Sequence, residues 1–168
     1  AKELCEELGV EHRVVPFDDC IDSTVRRVIK MIGSWDTTTV RASVAQYVML
    51  RDAQLREIDA KVILCGEGAD EVGFGYQNFK VAPDALAAQA ESERLLANIH
   101  LYDGLRVDRT TAHFGLEVRL PFLDYHFVDA FHAIPATLRH SNEVEKAGLR
   151  RLMATEVAAI LPTFKGSV

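Results

Sequence analysis

Hydrophobic positions along this chain change their period once, and the change divides it. Leu4 and Leu8 share one face of a short helical run, Lys2 to Leu8, which Gly9 stops. His12 to Val15 favours a strand, closed by Pro16. Ile21, Val25, Val28, Ile29 and Ile32 recur at helical spacing, with Asp18 or Asp19 placed to cap that helix and Gly33 to end it. Thr37 to Thr39 are polar and β-branched, which predicts a loop rather than a helix interior. A further helix is predicted from about Val40 to Ile58, with Val44, Tyr47, Val48, Leu55 and Ile58 on its inner face. Lys61 to Cys65 then reads as a short buried strand running into a turn at Gly66. Strand, helices and strand predict a parallel sheet covered by helices.

Beyond Pro83 no stretch alternates convincingly with period two. Asp84 to Ile99, Tyr102 to Gly115, Tyr125 to Ala133 and Glu143 to Ile160 all read as helix, with Pro83 at a helix start and turns at Pro121 and Pro135. The expected fold class is α/β: an α/β portion over residues 1–80 followed by an all-helical portion over residues 81–168.

At 168 residues the chain is one domain's worth, and with 48% hydrophobic and 26% charged residues it has the make-up of a soluble globular protein. No run approaches the roughly 20 apolar residues that span a bilayer, and no signal-peptide pattern opens the chain, so neither a membrane nor export is expected. A net charge of −6 argues against binding nucleic-acid backbones. Cys5, Cys20 and Cys65 form no C-x-x-C pair, which points to a reducing, cytosolic compartment. The first residues begin inside a helix with no start methionine, so the chain reads as a fragment.

The stretch Val62 to Glu71 concentrates the candidate chemistry. An apolar strand runs into Gly66 and Gly68, and Glu67, Asp70 and Glu71 follow it closely. Ligands of open α/β sheets sit beyond the carboxyl ends of strands. Carboxylates crowded there repel one another unless something positive, Mg²⁺ or an ammonium, is held at the turn.

What surrounds this turn carries a resemblance. Ser34 to Ser43, Gly73 to Pro83, Glu91 to Leu96, Tyr102 to Thr111, Gly115 to Asp124 and Glu145 to Arg150, in this order and spacing, resemble the synthetase domain of glutamine-hydrolysing asparagine synthetases over roughly residues 1–162. The resemblance implies a partial Rossmann-like ATP pyrophosphatase sheet. It also implies ATP-dependent amidation of L-aspartate through β-aspartyl-AMP, with Mg²⁺, with ammonia delivered from a glutaminase domain, and with homodimers in the full-length enzymes. By resemblance Glu67 supports the intermediate and accepts the ammonia proton, a role a carboxylate suits. Asp70 matches the position at the Mg²⁺–pyrophosphate. Cys65 and Gly66 match the pair that contacts the nucleotide, where serine is usual in place of Cys65; a thiol bonds more weakly than a hydroxyl. Thr38 and Arg41 match residues beside aspartate and the acyl-adenylate. Asp103 and Arg106, three apart on one helix face, match part of the substrate pocket, the arginine gripping a carboxylate.

Other charged residues read structurally. Asp108, Arg109, Glu117, Arg119 and Asp124 are expected to form a buried ion-pair network, Glu145 and Lys146 a solvated pair, and Glu71 a cap for the turn after it. The family's Ser-Gly-Gly-x-Asp-Ser phosphate loop and its N-terminal cysteine do not occur, and Lys165 does not match its pyrophosphate lysine. The chain alone is therefore expected to lack competent catalysis and, with a sheet edge uncovered, to aggregate or pair with another segment. Two rival readings are a β-lactam-synthetase-like ligase, which Thr38, Arg41, Asp103 and Arg106 disfavour, and a non-catalytic interaction module, which the retained Glu67 and Asp70 disfavour.

Overall fold

A computed structural model describes residues 1–17 and 21–160; Asp18, Asp19, Cys20 and Lys165 lie outside the described residues, as does the Leu55 side chain. In chain order the elements are α1 (Lys2–Leu8), α2 (Ile21–Ile32), α3 (Thr37–Leu55), β1 (Val62–Leu64), α4 (Ala69–Gly73), α5 (Gln77–Lys80), α6 (Ala85–Asn98), α7 (Asp103–His113), β2 (Glu117–Arg119), α8 (Tyr125–Ala133), α9 (Ala136–Arg139) and α10 (Ala147–Ile160). The chain is mixed α/β, mostly helical, with a small parallel sheet. It forms two compact units, one from Ala1–Val14, Ala69–Arg94 and Val128–Val168, the other from Val15–Gly68 and Leu95–Phe127. Among the described residues no helix is long and apolar enough to cross a membrane.

The second unit holds the sheet. β1 and β2 pair in parallel, with Val62 opposite Glu117, Ile63 opposite Val118 and Leu64 opposite Arg119. The ladder extends at both ends, Glu117 N–H donating to Lys61 O at 2.9 Å and Cys65 N–H to Arg119 O at 3.0 Å. β2 corrects the reading of the later residues as free of strands: three residues are too few to display a period of two. The strand expected at His12 to Val15 does not form, and Val14 is left exposed. Its β-favouring side chains had no partner strand, and propensity alone does not make one.

The core of this unit lies between α2 and α3, where Val28, Ile32, Val40, Val44, Tyr47 and Val48 are buried together. Each such aliphatic side chain contributes about 1.5–3 kcal/mol when fully removed from water. α2 ends where Gly33 takes a left-handed φ of 64°, and the Arg109 guanidinium donates to the Ile32 carbonyl there. α3 begins at Thr37, not Val40. Asp36 caps it by accepting the Thr39 N–H at 2.8 Å, and this offsets the weak helix propensity of the threonines. At its other end α3 stops at Leu55, leaving Ile58 outside the helix and exposed.

The first unit is helical. Val72, Phe74, Phe79, Phe131 and Leu149 are buried in it. Phe74 and Phe79 pack with ring centroids 5.1 Å apart, and the buried Arg139 guanidinium lies 4.8 Å from the Phe74 ring and 5.4 Å from that of Phe131. α10 starts at Ala147 rather than Glu143. The Ser141 hydroxyl takes the N–H groups of Glu143 and Val144 at 3.2 Å each, a turn that competes with helix.

Candidate active site

β1 delivers the acidic turn. Cys65 is still on the ladder, and Gly66 follows with nothing within 4 Å of where a Cβ would stand, so its backbone faces open space. Gly68 has φ +92°, and a Cβ there would overlap the Leu123 side chain; only glycine fits. The turn's shape is set, and with it the direction of Glu67.

Glu67 sits in a charged cluster of the sheet-bearing unit. Arg106 Nη2 donates to both of its oxygens at 3.0 Å, and Arg106 Nη1 donates to Asp103 Oδ1 on the preceding turn of α7. Gln46 Nε2, from α3, donates to Glu67 Oε1 at 3.1 Å. The side chains of Arg106, Asp103 and Glu67 are 12%, 16% and 19% exposed, so the cluster is largely withdrawn from water. Two carboxylates share one guanidinium, leaving a net negative site that favours an incoming cation or polar N–H group. The resemblance gives Arg106 a substrate carboxylate to grip; in the structure its fork bonds Glu67 and Asp103, and Nε is buried without a partner among the described residues.

In the helical unit, Asp70 opens α4 and its Oδ1 pairs with Lys146 Nζ at 2.8 Å. The geometry there is tight. A Cβ on Gly75 would collide with that same Asp70 oxygen and stand 2.5 Å from Lys146 Cε. Phe74 and Lys146 both adopt left-handed φ angles, +62° and +54°, and Lys146 N–H donates to Phe74 O at 3.2 Å. Two non-glycine residues in that region are costly and concentrate where a side chain must be aimed. Glu145 and Lys146 do not pair with each other. Glu145 meets Lys80 at 2.9 Å, and that bond holds its carboxyl below the usual carboxylate range. Glu71 is no turn cap: it is buried within α4 and its carboxylate accepts the Tyr76 hydroxyl.

A match to the asparagine synthase family model covers residues 1–98 and 80–163. The chain belongs to the asparagine synthase family. It is 42% identical over 154 residues to the glutamine-hydrolysing asparagine synthetase of Gallus gallus, covering 90% of this chain and 27% of that protein. The Homo sapiens asparagine synthetase is 41% identical over 153 residues, 89% of this chain and 27% of its own length. A probable asparagine synthetase of Acanthamoeba polyphaga mimivirus is 40% identical over 154 residues, 89% of this chain and 28% of its own. The chain thus spans little more than a quarter of the relatives it matches.

For an asparagine synthase family member, the arrangement sorts the expected residues. Glu67, Asp103 and Arg106 come together in one bonded cluster. Thr38 and Arg41 stand exposed on the first turns of α3, and Arg41 borders an apolar hollow of about 460 Å³ with Trp35, Val40 and Val44. The five-residue ion network does not form: Glu117 and Arg119 pair on the surface at 2.5 Å, Arg109 serves Ile32, and Asp124 caps α8 through His126 N–H at 3.0 Å. Gln46 escaped the sequence, and Lys146 reads there only as a solvated partner of Glu145. Gln46 lies two turns beyond Thr38 among apolar residues, with no acidic neighbour in sequence to mark it. Lys146 is adjacent to Glu145, and that adjacency disguised its true partner.

Proposed function

We propose that the protein carrying this sequence amidates L-aspartate at the expense of ATP. The observation that carries this is Glu67, held at the end of a parallel strand by Arg106 and Gln46 with Oε2 taking a single bond. In the proposed reaction an oxygen of the aspartate β-carboxylate attacks the α-phosphorus of ATP. The bond from that phosphorus to the β-phosphate bridge breaks, and pyrophosphate leaves. Ammonia then attacks the β-carbonyl carbon, AMP departs with the bridging oxygen, and Glu67 accepts the proton lost by nitrogen. Net negative charge at the Glu67 cluster suits a nucleophile that passes through an ammonium.

Cys65 and Gly66 are the nucleotide contacts in this reading, the open space at Gly66 letting a ribose or phosphate approach the backbone. Thr38 and Arg41 receive aspartate and its adenylate. Among the described residues no group of three or more His, Cys, Asp and Glu could hold a metal unaided. Mg²⁺ nonetheless fits a single carboxylate beside substrate phosphates, so Asp70 would hold it, with Lys146 keeping that carboxylate oriented. Bound there, the ion would supply neutralisation of the pyrophosphate charge. The parallel β1–β2 pair belongs, in this proposal, to a Rossmann-like ATP pyrophosphatase sheet to which the α/β portion, residues 1–80, gives β1 and the mostly helical portion, residues 81–168, returns β2. Ammonia from a glutaminase domain, a cytosolic location and homodimers are parts of the same reading.

Aspartate-dependent exchange of labelled pyrophosphate into ATP tests it. Exchange that requires aspartate and is not supported by glutamate or β-alanine derivatives is the expected result. Exchange supported by those compounds but not by aspartate overturns the substrate assignment, and none with any carboxylate overturns adenylation.

A further inference from the structure

The bonds around Glu67 are unequal, and the inequality has one source. A single nitrogen of Arg106 reaches Oε1 and Oε2 at the same 3.0 Å, so that contact cannot tell the two oxygens apart. Gln46 can. Its Nε2 donates to Oε1 alone, at 3.1 Å, so among the described residues Oε1 accepts two hydrogen bonds and Oε2 one. The opposite amide orientation would set an oxygen lone pair against a carboxylate oxygen, which is repulsive, so the N–H₂ group faces Glu67. The other end of the amide gains nothing: Gln46 Oε1 is buried with no hydrogen-bond partner among the described residues. With its oxygen unbonded, Gln46 acts on this site through its donor alone.

We propose that Gln46 is a positioning residue that fixes the rotation of the Glu67 carboxylate and leaves Oε2 as the oxygen that accepts the proton from the attacking ammonia. This rests on the function proposed above. A carboxylate free to rotate presents its basic lone pair in the productive direction for only part of the time. One held by an asymmetric pair of donors presents it constantly. α3 makes this rigid, because the helix that brings Gln46 to Glu67 is capped at Asp36 and buried along Val40, Val44 and Val48.

Steady-state asparagine formation from ammonia separates the outcomes in the protein carrying this sequence. Gln46→Leu removes the donor at similar length; it is expected to lower kcat about tenfold while KM for ATP stays within about twofold. Gln46→His, assayed at about pH 8, returns a neutral ring N–H donor towards Oε1 without cancelling the cluster's negative charge, and is expected to bring kcat back to within about threefold of the unaltered protein. The proposal is overturned if Gln46→Leu leaves kcat unchanged, if it raises KM for ATP along with lowering kcat, or if histidine gives no rescue. Failure of the unaltered protein to exchange pyrophosphate is a separate result: it removes the functional reading itself, whatever the Gln46 variants do.

Discussion

Arg106 decides the behaviour of its neighbours. Replacing it with methionine leaves Glu67 and Asp103 facing each other, largely withdrawn from water, with no cation between them. Removal of one partner from a buried ion cluster exposes the remaining charges to their full desolvation cost, here about 2–3 kcal/mol given the residual exposure. Urea unfolding at neutral pH should show that loss, and a second replacement, Asp103→Asn, should recover part of it. Glu67→Gln keeps the volume and both of its neighbours but removes the proposed base. In the protein carrying this sequence, asparagine formation should then drop about 10²–10⁴-fold, the usual contribution of a positioned proton acceptor. A drop of less than threefold, measured with saturating ammonia, would take Glu67 out of the chemistry. Gly75→Ala places a methyl group against Asp70 and Lys146, and crowding of that kind costs about 1–3 kcal/mol. Thermal melting of the variant checks it. At this scale the sequence disclosed the groups whose partners are close in the chain: Asp103 and Arg106 lie three apart on one helix, and Glu67 ends an apolar run. The partners of Gln46 and Lys146 were not legible because each lies far along the chain, Glu67 21 positions away in one case and the distant acid Asp70 in the other.

Elements were legible where their signal was longer than a turn and illegible where it was shorter. α2 repeats its apolar positions over three turns, and α6 is built largely of alanine, leucine, glutamate and glutamine, so each stands close to where the pattern puts it. Thr37 to Thr39 went the other way because one hydrogen bond from a capping aspartate outweighs the propensity of the residues it caps. That cap makes a prediction about acid. The Thr39 N–H bonds to the ionised Asp36 carboxylate and holds its pKa below the ordinary 3.8. The folded value lies below the unfolded one, so the cap stabilises fully above about pH 4 and is lost as pH falls through the folded value. Asp36→Ala should therefore lower the melting temperature at pH 7 and make little difference near pH 2. An equal shift at both pH values would mean the carboxylate charge is irrelevant to α3. β2 was hidden for the simplest reason: a three-residue strand whose partner is β1, more than 50 residues earlier, leaves no local trace.

For the molecule as a whole, the titrating groups with shifted values push in one direction. Burial, reinforced by the Arg139 charge, holds the His132 ring below its ordinary 6.5, and its Nε2 sits 3.3 Å from the buried Ser92 hydroxyl. The unfolded chain therefore takes this proton first, and stability present above about pH 6.5 declines as pH falls below it. Glu91, held down by Arg94, and Glu145, held down by Lys80, add losses below their ordinary 4.5. The urea midpoint should fall continuously from pH 7 to pH 4, and His132→Gln should flatten the upper part of that decline. A midpoint that rises on mild acidification would contradict the burial of a neutral His132. Fold class could be anticipated from the change of period at Pro83, yet the sheet is smaller than expected, because His12 to Val15 found no neighbour.

In the proposed reaction of the protein carrying this sequence, aspartate is activated by direct transfer of its β-carboxylate oxygen to the α-phosphorus. Aspartate carrying ¹⁸O in its β-carboxylate, turned over with ATP and ammonia, measures this. One labelled oxygen should appear in AMP for each asparagine formed. Label found in inorganic phosphate, with AMP unlabelled, would mean an acyl phosphate instead, and the adenylate placed at Thr38 and Arg41 would fall.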